Sequence, residues 1–452
     1  MPHMLIYTFF WCKIFEKGGI SVEKNAFLMK ATEIYLLLFA TVHLLYFGFS
    51  GYAHIFDAKQ VTFCTINLLY LLCIAVSPII FTGEKTVLSK RLSPAHIFAV
   101  LYMLFTVISG ILSEHFPKTF FGVSRFEGVF TICIYCLTFI AVSAFSCRKR
   151  YIFVVFSIAV TLFSLVCVIQ LFGYNPLSLY PAGTNFYDAG VIFTTAFIGT
   201  LGNTNLSGAF ICIAFPFLLV MMLKAKGKSR FLLLIPLLLL SFSVLKMGVD
   251  STILGLVAGF IICFPALLNF GKRKAIIFYI ILAVIILAFL VFIYCNAPSE
   301  GMLHEISEIL HGNIDESFGS GRIRIWKNVI SEIPDSPILG KGPDTMQEEK
   351  FPPFERFYPA RNKVMRAGID VAHNEFLNIL YHQGVLGLLA YSGFVFFVLR
   401  AWYKNRNDAL ILALGSSVIC YLVQSFFTFS MCISAPYFWI CAALIVGLSE
   451  EK

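Results

Sequence analysis

Long apolar runs separated by short polar stretches set the pattern of this chain. Runs near the length needed to cross a bilayer, about 20 residues, fall at 31–49, 61–82, 95–112, 127–147, 150–172, 200–223, 230–247, 251–269, 274–295, 374–399, 409–428 and 431–449. They predict an all-α integral membrane protein of about twelve transmembrane helices. One large external loop with short helices of its own is expected between the ninth and tenth spans. The chain then divides into four parts. Residues 1–30 read as a cytoplasmic or interfacial N-terminal segment and 31–295 as a nine-helix membrane region. Residues 296–372 read as an external polar loop with amphipathic helices, and 373–452 as a three-helix closing membrane region.

Within the polar stretch, Ile306, Ile309 and Leu310 fall on one side of a short helix. Gly319-Ser320-Gly321 opens a second helix, where Ile323, Trp326, Val329, Ile330 and Ile333 recur at helical spacing. Pro334 ends it, because proline cannot continue the backbone ladder. An amphipathic helix outside the lipid is expected to lie across the bundle as a lid. Earlier in the chain, an irregular stretch at 172–198 leads into Gly199-Thr-Leu-Gly-Asn203-Thr-Asn205. Irregular backbone at membrane depth persists only when it is buried in protein or lines a watery cavity. Asn203 and Asn205 are therefore expected either to face a cavity or to cap a broken helix.

Composition agrees. The chain is 59% hydrophobic and 13% charged, with mean hydropathy +0.84, against about 25% charged residues in soluble domains. The formal charge of +9 raises nucleic acid as a partner, and position excludes it. Lysines and arginines gather in alternate loops, for example Lys224, Lys226, Lys228 and Arg230, then Lys272, Arg273 and Lys274. The positive-inside rule then puts both termini in the cytoplasm and the 296–372 loop outside. The 13 cysteines are scattered through apolar spans and act as small apolar fillers. A phosphate-binding G-x-x-x-x-G-K-[ST] loop and an H-E-x-x-H metal motif are both missing, so neither ATP nor a metal is expected.

The chemistry concentrates at Asp370-Val-Ala-His373-Asn374-Glu375, where a polar loop meets an apolar helix. Continued as a helix at 100° per residue, the stretch puts Leu377, Leu380, Gly384 and Gly387 on the face of His373. That face points into the bundle, and an ionisable group at a membrane boundary is a functional candidate. Arg322 sits in the first turn of its helix, where a cation is disfavoured unless an anion joins it. Arg125 and Arg366 are further cations on the same side. Several guanidiniums converging above one histidine would make an oligophosphate site.

Four patches together resemble the O-antigen ligase and O-antigen polymerase superfamily of polytopic glycosyltransferases. They are Gly199–Asn205; Gly321-Arg322-Ile-Arg-Ile-Trp326; Ser336-Pro-Ile-Leu-Gly340-Lys-Gly342-Pro-Asp344; and Asp370–Glu375 with Gly384 and Gly387. The resemblance implies transfer of a glycan from a polyprenyl diphosphate carrier to a hydroxyl of a glycan, lipid or protein acceptor at the outer face of the bilayer. It implies His373 as general base, with Asn374 and Glu375 orienting it or the acceptor. Arg322, Arg125 and Arg366 would hold the diphosphate, and Asn203, Asn205 and Trp326 would line the cavity. Many members carry an external arginine where this chain reads Lys246-Met-Gly-Val-Asp250, so Lys246 would stand in without arginine's bidentate fork. No cofactor is implied. Histidine suits proton removal near neutral pH, and fixed cations suit a departing diphosphate. The competing readings are a transporter or flippase for lipid-linked glycans, and an assembly protein whose loop binds a partner.

Overall fold

The computed structural model describes residues 24–48, 51, 54–81, 92–192, 197–296, 299–349, 351–352, 354–358 and 363–449. Most of the expected 1–30 segment lies outside them. Among the described residues, nine helical stretches are long and apolar enough to cross a membrane. They are α1 (Lys24–Leu38) with the π-turn Phe39–His43, α2 (Ile55–Ile80), α3 (Pro94–Leu112) and α5 (Arg150–Leu171). After a short α6 (Phe186–Ile192) come α7 (Thr204–Lys224), α8 (Leu234–Lys246) with the turn before it, α9 (Asp250–Leu267), α10 (Lys272–Cys295) and α13 (Glu375–Asn405).

Three more helices are apolar but shorter: α4 (Val129–Ala144), α14 (Ala409–Ser425) and α15 (Ala435–Ser449), with 16, 17 and 15 residues. At about 1.5 Å per residue they rise roughly 22–26 Å, less than the roughly 30 Å hydrocarbon core. Where the sequence pattern extends these spans to 127–147, 409–428 and 431–449, the structure leaves irregular backbone at 113–128 and 426–434. Phe429, Met431, Cys432 and Ile433 in the second segment are all buried. This satisfies the rule that non-helical backbone at such depth must be enclosed by protein or line a cavity.

Helices α7 and α14 form the packed centre. Ser417 Oγ of α14 donates across to the Ile213 carbonyl of α7 at 2.7 Å. In α10, by contrast, only Ile293 is buried, as expected of a helix surrounded by lipid. The π-turn at the end of α1 is held from three sides. Lys59 Nζ donates to the carbonyls of His43 and Leu44, and the His43 ring bonds Tyr437 Oη and the Cys432 carbonyl.

Between α10 and α13 the chain forms α11 (Met302–Leu310) and α12 (Phe318–Glu332). Gly319, Ser320 and Gly321 are left-handed (φ 63°, 61° and 83°), so the regular helix starts at Arg322. The apolar face of α12, Ile325 and Val329, closes a small second core with Met346, Ile369, Ala372 and Tyr381. It thus packs over the start of α13. The fold is all-helical as expected, with one small hairpin added to it. Strands β1 (Phe354–Tyr358) and β2 (Lys363–Ala367) pair antiparallel, with Phe354 opposite Ala367 and Tyr358 opposite Lys363. Ladder bonds between main-chain groups can be made without the alternation of apolar and polar residues that identifies a strand in a sequence.

Candidate active site

The turn 370–375 is built from its cap outward. Asn374 is the N-cap of α13, its side chain accepting from the Leu377 N–H at 3.0 Å. His373 lies just before the cap with φ 49°, in the left-handed region. It is therefore not part of the helix, and the face assigned to it by helical spacing does not hold. Neighbours fix its position instead. Trp326 Nε1 donates to the Ala372 carbonyl at 2.9 Å. Glu375 is buried and its Oε2 accepts from the Ser430 N–H at 2.8 Å. Asp370 pairs with the Arg125 guanidinium. The His373 ring stands edge-on to Phe429, centroids 5.5 Å apart, while the Arg125 guanidinium carbon lies 4.7 Å from the same ring centroid.

Arg125 is itself aimed by a second unit. Buried Asp344, left-handed at φ 54°, accepts from Ser124 N–H (3.1 Å), Ser124 Oγ (3.0 Å) and Arg125 N–H (2.8 Å). The loop 336–344 that carries Asp344 clasps a kink in α13. Its Lys341 and Gly342 N–H groups donate to the carbonyls of Tyr381 and His382, both at 3.0 Å. Val385 N–H donates back to the Pro337 carbonyl at 2.9 Å. The kink is at Gly384, φ 65°, where a Cβ would lie 2.3 Å from the Ile338 carbonyl. A loop thus replaces the helical ladder just where the backbone turns, one of the few ways a helix kinks sharply. The Ser336–Asp344 and Asp370–Gly387 patches are one structural unit.

A small pocket, partly open to solvent, lies beside this unit. Arg125, Glu127, Asp344, Asp370, Glu375 and His382 all line it. Glu127 Oε1 accepts from Tyr135 Oη at 2.7 Å. Burial pushes the Glu127 carboxyl well above the ordinary carboxylate range. The charges of Glu375 and Asp344 push the same way, against the Tyr135 hydrogen bond. His382 Nδ1 sits 2.8 Å from the Gly342 carbonyl. A carbonyl can only accept, so Nδ1 carries the proton and Nε2 of the neutral ring is left as an acceptor.

Residues 235–392 match the O-antigen ligase family model. The match covers about a third of the chain and supports the superfamily resemblance read from the four patches. No curated protein matches the chain. The many membrane-crossing helices and this match describe a multi-pass membrane protein with an O-antigen ligase domain. That domain contains Arg322, Trp326, Asp344, His373 and His382, whereas Arg125, Glu127 and Ser430 reach the site from outside the matched region.

The remaining candidates separate. Within the O-antigen ligase domain, Arg322 Nη1 donates to the Gly319 carbonyl at 2.9 Å. Its Nε is buried with no hydrogen-bond partner among the described residues. Burial lowers this guanidinium from its ordinary pKa, opposed by Asp250. One turn further along, Trp326 bonds next to His373, so α12 ties Arg322 to the histidine turn without placing it or Trp326 on the pocket wall. Lys246 is exposed at the end of α8. Arg366 stands opposite Glu355 in the β1–β2 register, and its side chain lies outside the described residues. Asn203 caps α7, accepting from the N–H groups of Asn205 (2.8 Å) and Leu206 (3.4 Å). The Asn205 carbonyl accepts from Gln424 Nε2 at 3.5 Å. Neither asparagine lines the pocket. Sequence analysis singled out none of Glu127, Asp344 and His382 as site residues. The Gly-Pro-Asp turn was the one local signal for Asp344; His382 sits in an otherwise ordinary apolar helix.

Proposed function

We propose that this protein transfers a glycan from a polyprenyl diphosphate carrier to an acceptor hydroxyl at the outer face of a bacterial-type plasma membrane. The chain crosses the bilayer twelve times with both termini cytoplasmic. The observation that carries the reading is the O-antigen ligase match across a region holding both Arg322 and the His373 turn. In the reaction, the His373 imidazole accepts the acceptor's hydroxyl proton. The freed oxygen bonds the anomeric carbon as the bond from that carbon to the diphosphate oxygen breaks. The diphosphate leaves with the electron pair. Attack opposite the leaving group inverts the anomeric centre.

Arg322 is the group for the diphosphate, since a half-buried guanidinium whose Nε meets no partner among the described residues is suited to phosphate oxygens. Lys246 and Arg366 are further cations for the diphosphate in this reading. Asn374 and Glu375 hold the histidine turn in shape. Arg125, already paired with Asp370, positions that turn rather than binding phosphate. The departing diphosphate needs neither ATP nor a metal in this scheme, because the donor arrives activated and fixed cations stabilise the leaving charge.

Purified protein reconstituted with a polyprenyl-diphosphate oligosaccharide tests the reading. Covalent product is expected, with a ladder of lengths for a polymerase and a single adduct for a ligase. Movement of the labelled lipid-linked sugar across the vesicle membrane without covalent transfer would contradict it and favour a transporter.

A further inference from the structure

The pocket beside the His373 turn has the wrong charge for a diphosphate. Four carboxyl groups line it, those of Glu127, Asp344, Asp370 and Glu375, against the guanidinium of Arg125. That guanidinium is already paired with Asp370. Phosphate oxygens brought here would meet acceptors and negative charge.

Hydroxyl groups meet the opposite situation. A hydroxyl donates one hydrogen bond and accepts others, so it suits a wall of acceptors. Glu375 accepts from Ser430, and Glu127 accepts from Tyr135 Oη and the Cys432 backbone; a carboxyl group has lone pairs for further donors. His382 adds a ring nitrogen whose proton is on the other side. A separate observation comes from Gln383. It is 3% exposed and lines the pocket, yet its Oε1 has no hydrogen-bond partner among the described residues. A buried amide oxygen left unpaired is destabilising, and a retained one calls for an explanation.

We infer that this pocket is the acceptor subsite and binds an uncharged, polyhydroxyl sugar through Glu127, Glu375, His382 and Gln383, while the diphosphate of the donor binds elsewhere, at Arg322. The inference rests on the transferase reading and divides its site in two. The acceptor hydroxyl would approach from the carboxylate-lined side of the 370–375 turn, and the donor from the α12 side. Asp370 and Glu375, which flank His373 in sequence, line the pocket, while His373 itself is not on its wall.

The test is binding without turnover. The probe is the free oligosaccharide released by mild acid from the lipid-linked donor, observed by saturation-transfer NMR on the full chain in nanodiscs. Wild type should bind it, and Gln383→Met should weaken binding about tenfold. The same variant should melt at or above the wild-type temperature, because an unpaired buried oxygen has been removed; a purely structural glutamine would leave glycan binding unchanged. Inorganic pyrophosphate should not displace the glycan from wild type, a result that does not depend on the variant folding. Absent binding to wild type, unchanged affinity in Gln383→Met, or displacement by pyrophosphate would each overturn the subsite. A chain that binds glycan but makes no covalent product would refute the transferase reading and leave the subsite standing.

Discussion

The residues around the histidine turn differ in what they contribute to stability and to activity. The Arg125–Asp370 pair is part-exposed, with side chains 20% and 36% accessible, and such pairs are worth roughly 0–1 kcal/mol. Its value lies in aim. Asp370→Asn should leave the melting temperature nearly unchanged and lower kcat by about 10- to 100-fold, the usual cost of a misplaced catalytic group. Equal losses of stability and rate would show that the pair is structural. Arg322→Lys keeps the charge and loses the planar fork. It should raise KM for the lipid-linked donor about tenfold, about 1.4 kcal/mol, with the acceptor KM unchanged. At this scale the sequence made His373 and Arg322 visible, because each is a charge-bearing group where the apolar pattern breaks. The conformation of His373 was hidden, since a left-handed residue before a cap looks the same in sequence as the first residue of the helix.

Among the elements, α13 is the most specialised. Its kink depends on Gly384, where the backbone is left-handed and a side chain would strike the Ile338 carbonyl. Gly384→Ala should cost about 2–4 kcal/mol from strain and overpacking together, read as a lowered thermal midpoint in detergent. Far from the site, Asp408 caps α14 through the N–H groups of Leu410 (3.1 Å) and Ile411 (3.2 Å) and pairs with Arg148 at 2.6 Å. Burial alone would raise its carboxyl pKa. The Arg148 bond and the cap outweigh it and hold the group below the ordinary carboxylate value. A depressed folded value contributes stability above the unfolded pKa, about 3.9, and loses it as pH falls through the folded one. Asp408→Asn should therefore melt earlier than wild type at neutral pH, with the gap closing in acid. A gap independent of pH would remove the charge from the explanation. The apolar runs gave the helices near their observed places, because lipid requires long apolar stretches. They overran the ends of α4, α14 and α15, because buried loop residues such as Phe429 and Ile433 are as apolar as helix residues. The hairpin was not legible: Phe-Glu-Arg-Phe-Tyr and Lys-Val-Met-Arg-Ala do not alternate.

Across the whole molecule, the site joins segments that lie far apart in the chain. Ser124 and Arg125 bond Asp344, Arg125 pairs with Asp370, and Ser430 bonds Glu375. Local periodicity carries no information about such pairings, so the sequence indicated that polar patches exist without showing which ones meet. It also could not show that Arg125 pairs with Asp370, which is brought to it from beyond α12. The most direct test compares wild type and His373→Ala, at equal membrane insertion, for covalent glycan transfer from a polyprenyl-diphosphate donor in vesicles. Loss of product from the variant, with donor binding retained, is the expected result. Product formed by His373→Ala at the wild-type rate would contradict the assignment of the base.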